Sequence, residues 1–224
     1  MIHCIMVTKN EAHRYVEASL LWNRSVFDSI TVVDDWSTDG TFDIAATHAD
    51  NVLLANASFE RHEGLFREEA WKQWLEVIYP SPADWLVSID ADEFVVGDLS
   101  GALKEVGGRV GAFTVREGWG VDPIVIRVDG WWGRGKSPRC VMASEVLSAV
   151  KFANKHMASG SLPNVKGSAP ILLGVELLHL GYATEQDRET KFKRYSSTRG
   201  HSRNHVASIK RDPTLVVWEG PEVL

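Results

Sequence analysis

Apolar positions in this chain alternate between short unbroken runs and longer stretches with helical spacing. Ile2 to Val7 is a run of the first kind and predicts a strand, after which polar Thr8-Lys9-Asn10-Glu11 turns into a helix with Ala12, Val16 and Leu20 on one face. Ile30 to Val33 predicts a second strand, ended by Asp34-Asp35, and Ser37-Thr38-Asp39-Gly40-Thr41 supplies turn and cap residues before a short helix from Phe42 to His48. Asn51 to Leu54 predicts a third strand. A stronger helix then sets Phe66, Ala70, Trp74 and Ile78 on one stripe and closes at Pro80. Trp85 to Ile89 is nearly continuous apolar sequence entered after Pro80 and Pro82, which suits a central parallel strand covered on both faces. Strands and helices that alternate in this way predict a doubly wound, mainly parallel sheet.

Beyond residue 98 the pattern becomes mixed. A short helix near Ser100 to Val106, a Gly107-Gly108 turn and strands over Val110 to Val115 and Ile124 to Val128 precede another buried strand, Ile171 to Leu178, which ends at His179-Leu180-Gly181. Thr184 and Asp187 form a helix-capping pair before a helix that carries Arg188, Lys191, Phe192, Lys193, Arg194 and Tyr195. The expected organisation is one domain, with an alternating half over 1–98, a mixed half over 99–182, and a helix with a basic tail over 183–224. Trp119, Trp131 and Trp132 gather among glycines in the second half. They suit either a wall for an acceptor or plain core packing.

Composition narrows the class. At 224 residues, with 44% hydrophobic and 24% charged positions, the chain is an ordinary globular protein able to bury a sizeable core. A formal net charge of -6 argues against nucleic acid or a membrane surface as the main partner. The C-terminal segment is nevertheless basic, with Arg199, His201, Arg203, His205, Lys210 and Arg211. Cys4 and Cys140 lie far apart, which suggests neither a disulfide framework nor a cysteine zinc site and suits a reducing, cytoplasmic setting. The opening apolar run is too short for a signal peptide, and no stretch approaches membrane-spanning length.

The chemistry gathers at the strand ends. Thr8 to Glu11, Asp34-Asp35 and Asp90-Ala91-Asp92 would open on one edge of a parallel sheet, where such sheets bind ligands. Strand alternation would let Asp90 and Asp92 converge, with Ala91 leaving room between them, and paired carboxylates suit a hard cation such as Mn²⁺ or Mg²⁺. An acid-rich crevice binds an anion only if a metal or basic residues balance it. A nucleoside diphosphate bridged by a metal, with Arg67 and the basic C-terminal residues nearby, meets that demand.

These segments taken together carry a resemblance. Asn10-Glu11, then Val33-Asp34-Asp35-Trp36-Ser37-Thr38-Asp39-Gly40-Thr41, then Gly64 with Arg67, then Asp90-Ala91-Asp92-Glu93-Phe94 resemble, in order and spacing, the signatures of family 2 glycosyltransferases with the GT-A fold. His179-Leu180-Gly181-Tyr182 and Lys191 to Tyr195 resemble the later part of its D-A-D-E-F branch. The resemblance implies a Rossmann-like, mainly parallel α/β sheet flanked by helices, with a mixed acceptor-side half. It implies a hexosyltransferase that uses a UDP- or GDP-sugar donor, with a glycan, protein or small-molecule acceptor, and an inverting displacement; retention stays open. Thr8, Asn10, Glu11, Asp34, Asp35, Arg67, Asp90 and Ala91 would line the nucleotide-sugar site. Glu11 and Asp35 would contact the base, Asp90 would approach the ribose, and Asp92 would hold the metal. His179 would be a further metal ligand or a diphosphate contact, and Lys191 and Arg194 would belong to a lid over the diphosphate. Trp36 departs from the glycine usual after the acidic pair.

The base that takes the acceptor proton has candidates in Glu117 and Glu145, with His156 also in that half. The Glu-Asp base pair of larger family 2 enzymes is absent after the central acids. Two other readings stay open. Gly130-Trp131-Trp132-Gly133-Arg134-Gly135-Lys136-Ser137 matches the phosphate-loop pattern of nucleoside triphosphatases, although Pro138-Arg139-Cys140-Val141 gives little of the helix such a loop requires. A nucleotide-sugar-binding module without catalysis is the third.

Overall fold

A computed structural model of the chain describes residues 1–130, 132–156, 159–197, 203–221 and 223. Its first half follows the expected alternation: β1 (Ile2–Thr8), α1 (Val16–Asn23), β2 (Ser29–Asp34), α2 (Thr41–His48), β3 (Asn51–Leu54), α3 (Glu63–Ile78) and β4 (Trp85–Asp90). Strands β4, β1, β2 and β3 lie side by side and parallel. Period-two side-chain alternation sorts β1 cleanly between the faces. Cys4 and Met6 join Val16, Leu20 and Ala45 under α1 and α2, whereas Ile5 faces Phe66, Ala70, Trp71 and Trp74 of α3.

Helix α3 shows how local sequence sets the edge of the site. The His62 imidazole accepts from the Leu65 amide at its start, and Tyr79, at φ 44, ends it just before Pro80. Trp71 and Trp74 are fully buried, and each contributes about 2–3 kcal/mol of burial. Gly64 is required by close approach, because a Cβ there would strike the Ala153 carbonyl. This contact sets the 153–155 backbone against the first turn of the helix that carries Arg67.

The second half comprises β5 (Glu93–Val96), α4 (Leu99–Glu105), β6 (Val110–Val121), β7 (Ile124–Arg127), β8 (Lys136–Met142), β9 (Ile171–His179), α5 (Glu185–Ser197), α6 (Arg203–Ser208) and β10 (Leu215–Val217). Strand β8 runs antiparallel beside β4 and carries the sheet on through β6, β7 and β10, while β9 pairs with β5 and β6. The sheet is therefore mainly parallel in the first half and mixed in the second, as the sequence pattern indicates.

Several expectations need correction. Residues 12–15 form turns, so α1 starts at Val16 and leaves Ala12 outside it. Strands β5, β8 and β10 have no counterpart in the periodicity reading. Pro138 disguises β8, and it is tolerated because the β6–β8 register shifts between Gly111 and Ala112, where Pro138 pairs. That strand also overturns the phosphate-loop reading, since Lys136 and Ser137 open a β-strand where the loop needs a helix N-terminus. Trp119 and Trp132 are buried and pack with Tyr182 and Ile209, which makes them core; Trp131 lies outside the described residues, as do Arg199 and His201. Among the described residues no helix is long and apolar enough to cross a membrane.

Glu68 ties α3 to the loop beside it, accepting from Lys72 and Lys151 at 3.0 Å each and from the Phe152 amide at 3.1 Å. Burial alone would raise its pKa, but these donors bring it down to about 2. Because the folded pKa is depressed, its stabilisation is present above the ordinary carboxylate range and is lost as pH falls from about 4.5 towards 2. Glu68→Gln is expected to cost about 1 kcal/mol at neutral pH after solvent screening, and to flatten the acid limb of a urea-midpoint against pH curve. An unaltered acid limb would refute the assignment.

Candidate active site

Strand register brings the chemistry to one edge: Thr8 pairs with Asp34, and Val7 pairs with Asp90. Asp34 is fully buried and holds the turn after β2, accepting from the Thr8 hydroxyl at 3.0 Å, the Ser37 amide at 2.7 Å and the Ser37 hydroxyl at 2.6 Å. Asn10, at φ 53, latches the same turn: its amide donates to Ser37 Oγ and its side-chain oxygen accepts from the Thr38 amide. Trp36 adopts φ 56, the left-handed geometry that glycine favours, and its indole donates to the Ala55 carbonyl at 3.0 Å. The turn is thus formed without the glycine. Asp35 accepts from the Phe59 amide at 3.1 Å with Lys9 alongside, and burial pushes its pKa up against both.

Asp90 sits between two arginines. Arg67 Nη2 donates to its Oδ1 at 3.2 Å, and Arg139 Nη1 lies 3.7 Å from its Oδ2. Arg67 also binds Glu63 at 3.1 Å, while Arg139 binds Glu93, whose other oxygen accepts from the Asp90 amide at 2.8 Å. Burial works against the charged form of both acids. At Asp90 the two arginines overcome it and lower the pKa; at Glu93 burial prevails and the pKa rises to about 7. Among the described residues the buried Arg67 Nη1 finds no hydrogen-bond partner.

Asp92 belongs to a different cluster. It lies in the turn between β4 and β5, so strand alternation is not what aims it, and its carbonyl accepts from the Leu180 amide at 2.8 Å. Its Oδ2 stands 3.5 Å from His179 Nε2, 3.7 Å from Lys191 Nζ and 3.9 Å from Arg14 Nη2. Burial would raise its pKa, but these three basic groups hold it well below the usual carboxylate range. Behind the imidazole, Glu117 Oε2 meets Nδ1 at 2.6 Å, fixed by the β6–β9 register in which Glu117 pairs with His179. Burial resists charging His179 and the flanking carboxylates favour it, on balance raising its pKa. Nε2 meets Asp92 as imidazolium, or accepts from Lys191 Nζ at 3.1 Å as the neutral ring.

This cluster fits a divalent cation. Two cis ligands about 2.1 Å from a Mg²⁺-sized ion stand about 3 Å apart, close to the Asp92–His179 separation. A carboxylate behind the far nitrogen is the usual support for a metal-binding histidine. The space exists because residue 181 is glycine: a Cβ there would lie among Asp92 Oδ2, His179 Nε2 and Lys191 Nζ. Among the described residues no three His, Cys, Asp or Glu side chains form a ready ligand set, and Asp92 and His179 are the pair here that could hold an ion.

The remaining candidates disperse. The Glu11 carboxylate binds Arg14 at 2.7 Å on the Asp92 side of the crevice, and burial with Asp92 nearby pushes its pKa up to about 7. Ala91 is buried, and Arg194 lies over the Phe59 ring at 5.0 Å. Glu145 is not brought to the site. It follows β8 near the amino end of β4, at the opposite edge of the sheet, paired with Arg109 at 2.7 Å. Glu117 is present but committed to His179. His156 stands against His62 at 4.5 Å, with Nδ1 on the Arg61 carbonyl. The sequence reading missed Arg14, which its helical spacing from Glu11 could have revealed, and Arg139, which sits in a strand that Pro138 hides.

No family model matches the sequence, and no curated protein matches it. Solved structures do. The glucosyl-3-phosphoglycerate synthase of Mycobacterium tuberculosis, in complex with Mn²⁺, UDP and glucosyl-3-phosphoglycerate, superposes with a TM-score of 0.50 at 17% identity over 97% of this chain and 87% of that one. The mannosyl-3-phosphoglycerate synthase of Rubrobacter xylanophilus gives 0.47 at 16% identity over 88% and 72%. A 4-diphosphocytidyl-2C-methyl-D-erythritol synthase gives 0.44 at 14% identity over 83% and 94%. The first of these likenesses establishes the GT-A type of fold expected from the motifs; at such identity it speaks to fold alone.

Arg139 supports both Asp90 and Glu93 from within the sheet. Arg139→Met would strip the buried Glu93 of its arginine and leave Asp90 with Arg67 alone, and is expected to cost about 3 kcal/mol, read as a fall in denaturant midpoint. A loss below about 1 kcal/mol would show that the acids do not depend on it.

Proposed function

We propose that the chain is a glycosyltransferase that moves a sugar from a nucleoside-diphosphate sugar to an acceptor hydroxyl. The observation that carries this reading is the Asp92–His179 pair over Gly181, with Glu117 behind the imidazole, at the carboxyl edge of a parallel sheet. Asp35 and Asp90 stand at the neighbouring strand ends to meet base and ribose, and the unpartnered Arg67 Nη1 offers a proton to a ligand oxygen. The Mycobacterium tuberculosis enzyme, which shares the fold, has Mn²⁺ and UDP in its structure. That supports a UDP-sugar ahead of a GDP-sugar as the first donor to test.

In this reading Asp92 and His179 hold Mn²⁺ or Mg²⁺, which supplies positive charge against the departing diphosphate. The protein's own groups do the rest. Glu117 orients His179, Arg14, itself held by Glu11 and Asp187, faces Asp92, and α5 brings Lys191 and Arg194 over the crevice to exclude water from the donor. Glu117 and Glu145 are not offered as the acceptor's base, because one is bound to His179 and the other lies at the far edge. The motif resemblance alone supports inversion.

At about a hundred times Kd, a UDP-sugar with Mn²⁺ is expected to stabilise the protein by about 2.7 kcal/mol, read as a rise in Tm. Asp92→Asn should abolish the Mn²⁺-dependent part of that rise and the transfer activity while the protein remains folded. A Tm rise that ignores Mn²⁺, or a fully active Asp92→Asn, would sink the metal assignment. Glu117→Gln is expected to weaken Mn²⁺ binding by about 10–100-fold in a calorimetric titration, as loss of an orienting carboxylate does. Unchanged affinity would reduce Glu117 to a packing role.

A further inference from the structure

Lys191 occupies the place where a cation is wanted. Its ammonium lies 3.1 Å from His179 Nε2 and 3.7 Å from Asp92 Oδ2, is 4.3 Å from the centre of the Tyr182 ring, and sits within the cradle that a Cβ on Gly181 would fill. An ammonium 3.1 Å from Nε2 and a divalent ion bound to that same nitrogen cannot coexist, because both would occupy the same space and both are positive. Arg14 cannot substitute for the lysine in this respect. It reaches Asp92 only at 3.9 Å, and its guanidinium is already held by Glu11 and Asp187.

We propose that Lys191 is a built-in occupant of the cation site, which a divalent metal must displace, so that metal loading and the position of α5 are coupled. The proposal rests on the transferase reading of this site and adds to it a competition within the protein. The helix is suited to such a change. Of its thirteen residues only Asp187 is buried, and Asp187 is anchored by Arg14, Tyr15 and the Thr184 hydroxyl. Arg188 reaches the carbonyls of Trp119, Tyr182 and Ala183. The start of α5 is therefore pinned by polar contacts, and further along it Lys191 joins the Asp92 cluster while Phe192 and Tyr195 pack, half-buried, against Trp119, Trp132 and Tyr182. A displaced ammonium would remain on a short tether beside the crevice, free to meet the oxygens of an incoming diphosphate.

The test is a calorimetric titration of Mn²⁺ into the protein without nucleotide. Lys191→Met keeps an unbranched chain against Tyr182 and removes the competing charge, whereas Lys191→Arg keeps it. The Met variant is expected to bind Mn²⁺ at least about tenfold more tightly than the unaltered protein, and the Arg variant should show no such gain. Adding Asp92→Asn to the Met variant should erase the gain. Equal or weaker Mn²⁺ binding by the Met variant overturns the proposal. Absence of Mn²⁺ binding in both proteins overturns it as well, and a parallel titration with a UDP-sugar then separates the two ideas. Metal-free donor binding would leave the transferase reading standing with Lys191 as a permanent cation, while no donor binding would remove both.

Discussion

Carboxylates buried at the end of a central strand must be met by cations, and much of this structure follows from how that is done. The chain Glu63, Arg67, Asp90, Arg139 and Glu93 alternates in sign through the wall of the crevice. An acid left alone there would cost several kcal/mol or take up a proton. The two arginines come from different elements, α3 and β8. α3 must therefore begin close enough for Arg67 to reach β4, and β8 must turn an arginine inward where an apolar residue would pack more simply. The electrostatics of the site and the joining of the two halves of the sheet are one constraint.

This explains what the sequence revealed and what it concealed. The parallel half was legible because β1, β2 and β4 are buried on both faces and α3 carries an apolar stripe. β8 was not, because Arg139 turns inward to the acids, Lys136 is exposed and Pro138 occupies a bulge, which together break the periodic signal. Local motifs fixed which residues reach the edge. They could not assign partners: Asp90 and Asp92 are two apart in sequence yet belong to separate cation clusters, since the strand ends between them. Glu145 shows the converse, a plausible acid in the right half of the chain that register carries to the wrong end of the sheet.

The two clusters differ in kind. Asp90 is held by planar guanidiniums from two rigid elements, both of which also hold other carboxylates, and such pairs are hard to exchange. Asp92 meets an imidazole, an ammonium on a flexible stem and a more distant guanidinium, none within ordinary hydrogen-bond distance of its Oδ2. The first arrangement builds the wall. The second leaves an oxygen whose charge is balanced by looser contacts, which suits the exchange of ligands that the proposed function demands.

Fold and site also carry different weight. A TM-score of 0.50 at 17% identity means that the sheet and its helices are shared while most side chains are not. What passes between such proteins is the edge that register creates, and chemistry depends on what each chain mounts there. Here the decisive features are small. A glycine at 181 leaves a cradle open, a glutamate at 117 turns an imidazole to face Asp92, and a lysine from a weakly buried helix enters the space between them. Without any one of them the carboxyl end of β4 would lose the convergence on which the proposed cation site depends.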